Sequence, residues 1–246
     1  MNCELKSLLS RLSGFLLVWA VILFALAAAV YGTAGDGDLL AREMRRHAPP
    51  ETTGLPETEY TGVGRMTAGY LTGREETFQY VFSDAEGRRF VCFQPHEAAH
   101  MADCRGLIGL AGRLRWIAAA AALLPAAAGA VLRRRRDFTG GMLAGLCGAA
   151  AVFTGITVWA LADFDGLFVT FHRLAFTNDG WLLDARTDLL IRLMPTPFFI
   201  SLGIRVLLTV LAAALVSLAA AAVIRRTENR SKGADAPRMN AERRAE

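Results

Sequence analysis

The chain has 246 residues, of which 53% are hydrophobic and 20% charged, with four cysteines and a formal net charge of +4. That apolar content, gathered in long blocks, excludes an ordinary soluble domain. The basic residues flank the apolar blocks, so the positive charge is no argument for nucleic-acid binding.

Four blocks are long enough to cross a hydrocarbon core of about 30 Å, which takes about 20 helical residues. They cover about 13–32, 114–132, 140–161 and 198–224. The first follows Lys6 and Arg11 as a secretory signal would, yet it is too long for the apolar region of one. Ala27-Ala28-Ala29 lies inside its apolar run, so a retained helix is expected. Lys6, Arg11, Arg133 to Arg136 and Arg225-Arg226 all fall on one side of a four-fold crossing, which predicts that side to be cytoplasmic. Both termini are then cytoplasmic, and the loops at about 33–113 and 162–197 are extracytoplasmic. The membrane domain is expected over 1–226. Residues 227–246, rich in Arg, Glu, Asn, Ser and Lys, are expected to form a disordered cytoplasmic tail.

The first loop is too long for a mere connector. Asp38 to Arg46 reads as a short helix ended by Pro49-Pro50, and Thr61 to Leu71 as another. Phe78 to Phe82 and Arg89 to Phe93 alternate apolar and polar residues around Asp84-Ala85-Glu86-Gly87, the pattern of a β-hairpin. A further helix begins after Gln94-Pro95 and continues toward the second span, placing His100 at the boundary between water and lipid. The expected fold is thus mainly α: four transmembrane helices and two outer loops, the first a small α/β cap with a hairpin.

Two polar patches stand out, and between them they hold three of the four histidines. The first, His96-Glu97-Ala98-Ala99-His100, matches H-E-x-x-H. On a helix both imidazoles share a face, as zinc ligation needs, and Glu97 is placed to act as base on a metal-bound water. No third ligand is evident nearby, so His172 or Asp179 of the second loop would have to complete the site of such a metal-dependent protease. A metal-free reading uses His100 with Asp103, one turn away, as a general base, and His172 with Asn178, Asp179 and Trp181 as its counterpart. A non-catalytic scaffold is the third class, since Gly and Ala in the second and third spans allow close helix approach. His47, in a polar stretch, reads as a surface residue. Arg205, about two turns into the fourth span, is costly in lipid and is a candidate to face substrate or membrane; Arg113 and Arg115 read as snorkelling residues. Cys92 and Cys104 share a loop and would pair only if the fold brings them together. Cys147 reads as packing, and Cys3 lacks the apolar run of a lipobox.

Glu97-x-x-His100-Met101-x-Asp103, Phe171-His172-x-x-x-Phe176-x-Asn178-Asp179-x-Trp181, Asp184, Asp188-Leu189-Leu190-Ile191 and Pro195-x-x-Phe198-Phe199 together resemble the bacterial lipoprotein intramolecular transacylases, the Lit family. The resemblance runs from the first span to the fourth and includes the four-span topology. It departs from the family pattern at Cys104, where a small aliphatic is usual, and in the loop before Tyr70. It implies that His96 is incidental and that the substrate is a diacylated lipoprotein in the bacterial cell membrane, with the site facing outward. The implied reaction moves the sn-2 acyl chain from glycerol oxygen to the α-amine of the N-terminal cysteine, without a cofactor. His100 is then the expected base, oriented by Asp103 or Glu97, and His172 the expected acid, with Asn178 a donor to the oxyanion and Asp179 and Trp181 in support. An exchange of roles and an acyl-histidine intermediate stay open.

Overall fold

A computed structural model describes the backbone of residues 2–242 and the side chains of residues 2–228. The expected tail therefore lies almost wholly outside the described side chains. Four helices are long and apolar enough to cross a membrane: α1 (Cys3–Gly35), α5 (Pro95–Leu132), α6 (Arg135–Ala162) and α9 (Thr196–Glu242). Between α1 and α5 lie α2 (Gly37–His47), α3 (Pro50–Thr53), α4 (Tyr60–Leu71) and the strands β1 (Val81–Ser83) and β2 (Arg89–Val91). Between α6 and α9 lie α7 (Phe164–Ala175) and α8 (Leu189–Leu193).

The chain divides into two compact units. One comprises the described residues up to Ala25, Trp116–Gly155 and the residues from Val210 on. Within it α1 and α6 approach closely: a Cβ at Gly141 would overlap the Arg11 carbonyl, and one at Gly14 the Phe138 carbonyl. Small residues at a helix crossing are how transmembrane helices gain van der Waals contact where lipid offers no hydrophobic driving force. Arg11 and Arg134 both pair with Asp137, at 3.2 and 2.8 Å, and Arg225 donates to the Thr139 hydroxyl at 2.9 Å.

The other unit comprises Leu26–Arg115 and Ile156–Thr209 and holds both polar patches. Asp36 caps α2 by accepting the Leu39 N–H at 2.9 Å, and the helix ends before Pro49-Pro50, since proline restricts the residue that precedes it. The hairpin forms as the alternation predicts, with Val81 opposite Val91 and Phe82 opposite Phe90, though its strands are shorter than the alternating segments. Gly87, at φ 78°, supplies the left-handed residue of its turn. Met44, Tyr60, Val63, Phe78, Phe93, Met101, Leu190, Leu193 and Phe198 form one apolar core. That core draws α2, α4, the hairpin, the start of α5, α8 and the start of α9 together.

The second loop is more ordered than its sequence suggests. α7 is an amphipathic helix capped by Asp163, whose carboxylate accepts the Gly166 N–H at 2.8 Å. Its 12 residues are too few to span a bilayer, so a search for long apolar blocks passes over it.

Candidate active site

Three segments of the second unit build the site: the first turns of α5, the last turns of α7 and the loop that follows α7. His100 and His172 are 8% and 7% exposed, with ring centroids 6.0 Å apart. The two patches therefore meet.

Aromatic rings surround His172. Phe168 lies 4.1 Å away between centroids, Trp181 5.1 Å, Phe171 5.4 Å and Phe176 5.5 Å. Phe176 also packs edge-on against His100 at 5.2 Å. The Phe168 carbonyl lies 2.8 Å from His172 Nδ1. A carbonyl oxygen can only accept, so the neutral ring carries its proton on Nδ1 and presents a lone pair at Nε2. Burial pushes the His172 imidazole below its ordinary value, and the carbonyl, which favours the protonated ring, only partly opposes it.

His100 Nε2 lies 3.6 Å from the Cys104 thiol, one turn along α5. Its Nδ1 is buried and meets no hydrogen-bonding partner among the described residues. Cys104 and the wall of Phe168, Phe171 and Phe176 were not singled out as functional by the residues alone. The one available signal was Phe168 and His172 sharing a helical face at i and i+4.

Glu97 does not orient His100. Its carboxylate is fully buried, and each oxygen accepts one backbone N–H at 2.7 Å, from Gln94 and from Leu190. The first bond is half of a capping box at the start of α5. The second fixes the first turn of α8. His96 turns away from His100 and pairs with Asp188 at 3.1 Å, and among the described residues no three His, Cys, Asp or Glu side chains gather as metal ligands. Burial works to raise the Asp188 carboxyl, but the Asp184 N–H, His96 and the Thr187 hydroxyl outweigh it and hold the group below the usual carboxylate range. Of the three H-E-x-x-H side chains, Glu97 is thus spent on a backbone clamp and His96 on Asp188, which leaves His100 to face His172.

Asp103 does not bond to His100 either; its carboxylate accepts from the Asn178 amide at 3.0 Å. Asn178 in turn accepts the Gly180 N–H at 2.9 Å, so this residue ties α5 to the loop carrying Trp181. Asp179 is exposed beside it, and Arg205 is exposed on α9, with no hydrogen bond or ion pair joining it to either histidine among the described residues. Cys92 and Cys104 are both free thiols.

The family model described as lipoprotein intramolecular transacylase Lit matches residues 15–199. The chain belongs to the Lit family. It is an integral membrane acyltransferase of the kind that acts on lipoproteins. The fold is that of Lit from Bacillus cereus: one structure superposes with a TM-score of 0.70 at 17% identity, covering 93% of this chain and 99% of that one. A structure of the same protein with a histidine-to-arginine substitution gives 0.66 at 16% identity, covering 93% of this chain and 95% of that one. One with a histidine-to-alanine substitution gives 0.70 at 16% identity, with 93% and 99% covered. No curated protein matches the chain.

Two outcomes follow for this Lit-family site. Glu97→Ala orphans two backbone N–H groups and should cost about 3 kcal/mol of stability in denaturant titrations; a loss below about 1 kcal/mol would contradict the clamp. For His172 the sign is set by burial: a lowered value means a neutral ring at pH 7, protonated only as the pH falls. NMR titration of its ring protons should give a midpoint below 6.5. A midpoint above 6.5 would mean that a carboxylate, rather than the aromatic wall, governs the ring.

Proposed function

We propose that this protein moves the sn-2 acyl chain of a diacylglyceryl lipoprotein from glycerol oxygen to the α-amine of its N-terminal cysteine. An amide C–N bond forms and the ester C–O bond breaks. The proton leaving nitrogen goes to the glycerol oxygen, so no cofactor is needed to balance the reaction. The observation that carries this reading is the pairing of two buried imidazoles at 6.0 Å, one of them held as a single tautomer. Two imidazoles at that spacing support a reading in which both serve one reacting centre beside them.

The geometry favours an exchange of the roles expected from sequence. His172, whose Nδ1–H is taken by the Phe168 carbonyl and whose lone pair is therefore at Nε2, suits the base. The proton then passes to the departing oxygen through His100, which accepts it at one ring nitrogen as it releases the proton of the other. A free α-amine has a pKa of about 8 and is mostly protonated in water, but the aromatic wall disfavours an ammonium, which brings the amine toward the basicity of its acceptor. Holding amine and ester in one dry pocket converts a bimolecular encounter into an oriented one, and this supplies much of the rate. Asn178 keeps one amide hydrogen free of Asp103 and is the candidate oxyanion donor. Asp103 and Glu97 position the segments. Asp179, Trp181 and Arg205 are the remaining candidates, Trp181 as an interfacial platform beside His172. The basic residues at Arg133 to Arg136 and Arg225-Arg226 support cytoplasmic termini and an outward-facing site.

The test is expression in a bacterium that makes diacylated lipoproteins, followed by tandem mass spectrometry of the N-terminal lipopeptide. Wild type should place an acyl chain on nitrogen, and His100→Ala and His172→Ala should each lower its rate of appearance at least about 100-fold. Full activity with both histidines replaced would refute histidine catalysis. Activity should also survive a strong chelator, where a zinc-dependent enzyme would lose it.

A further inference from the structure

α5 carries a second face. At about 100° per residue, Arg105, Gly109 and Gly112 sit roughly 120–180° around the helix from His100. On that face lies a cavity of about 540 Å³ lined by Tyr31, Arg105, Arg113, Arg115 and three glycines of α5, with no carboxylate in its walls.

Two of the arginines stand over aromatic rings. The Arg105 guanidinium lies 4.9 Å over the Tyr70 ring, and its recorded hydrogen bond is a long one, 3.5 Å to the Glu76 carbonyl. Arg115 lies 4.1 Å over the Tyr31 ring. Gly112 makes that stack possible, because a Cβ there would come within 2.8 Å of the Tyr31 ring. Arg113 passes over Gly109, its Nη1 3.7 Å from where a Cβ would stand. A guanidinium centred over an aromatic ring, as Arg105 is over Tyr70, has N–H groups at its edge to offer an anion, in the fork geometry that matches two phosphate oxygens. The level in the membrane is also informative. Arg113 and Arg115 directly precede the uncharged run 116–132, which opens with the exposed Trp116. Tryptophan followed by an apolar run marks the headgroup level of a bilayer.

We propose that this cavity is a binding site for the phosphate of an anionic phospholipid headgroup. The site is separate from the histidine pair and takes part in no bond change. A free phosphate ion offers the same oxygens, but it lacks the acyl chains that would hold the headgroup at the start of an apolar run, which favours the lipid.

The experiment uses the full chain in nanodiscs of mixed phosphatidylglycerol and phosphatidylcholine, with native mass spectrometry of the released protein. Wild type should retain one phosphatidylglycerol in preference to phosphatidylcholine by at least about tenfold, and 50 mM inorganic phosphate should not displace it. Arg105→Gln with Arg113→Gln should weaken retention about thirtyfold, as expected for two interfacial charges removed. A second variant does not touch the arginines. A Cβ at Gly106 meets nothing within 4 Å, so Gly106→Leu adds an apolar side chain to the cavity wall without a clash at its Cβ; it should weaken retention at least about tenfold. Equal retention of the two lipids by wild type, displacement by inorganic phosphate, or unchanged retention in Gly106→Leu would each overturn the proposal.

Discussion

The arrangement around the histidines depends on a single buried carboxylate. Glu97 is fully enclosed, and an ion in that position survives only if hydrogen bonds replace its lost hydration. Both of its partners are backbone N–H groups, one at the start of α5 and one 93 residues later in α8. A helix of five residues cannot hold itself, so α8 keeps its place because Glu97 does. The pairing of His96 with Asp188 and the bond from the Gln94 amide to the Thr187 carbonyl stitch the same junction from its exposed side. His100 stands one turn beyond Glu97, and its position is inherited from that junction.

The two histidines are set by different physics. Phe168 acts on His172 twice, with its ring packed 4.1 Å from the imidazole and with its carbonyl on Nδ1. The ring excludes water and disfavours the imidazolium, while the carbonyl selects a tautomer. A carboxylate in the carbonyl's place would select the same tautomer but also stabilise the cation and raise the pKa. The nearby acid, Asp103, is instead spent on Asn178, where it joins α5 to the loop after α7. The Asp103 charge acts on His100 only at a distance, where burial outweighs it, and its bond to Asn178 closes the site mechanically.

Elements that bury a periodic stripe were legible in the sequence, and elements held by specific polar contacts were not. Four apolar blocks sufficed for α1, α5, α6 and α9, and the alternation around Asp84 to Gly87 sufficed for the hairpin. α7 was missed as a helix because its 12 residues fall short of a span and its polar end reads as loop. That His100 and His172 act together was expected from their two polar clusters on one membrane face and from the family pattern, but residue order could not show that they meet, since 72 residues separate them. Glu97 was read as one of two possible orienters of His100, and its hydrogen bonds lie elsewhere for a definite reason. Its spacing from His100 puts the two on neighbouring helical positions, and nothing in residue order reveals that a backbone N–H at Leu190 claims the carboxylate first.

α5 shows why one helix can carry more than one task. It is 38 residues long, while a crossing takes about 20, so more than half its length lies before the uncharged run begins. Over that stretch one side bears Glu97, His100 and Cys104, and the other bears Arg105, Gly109 and Gly112. The first side is closed by aromatic rings that keep charge out. The second is opened by glycines that let Tyr31 and the Arg113 side chain approach the helix. Both sides belong to one helix, so a lipid held on the arginine face, as proposed, would set the depth of His100 by geometry alone.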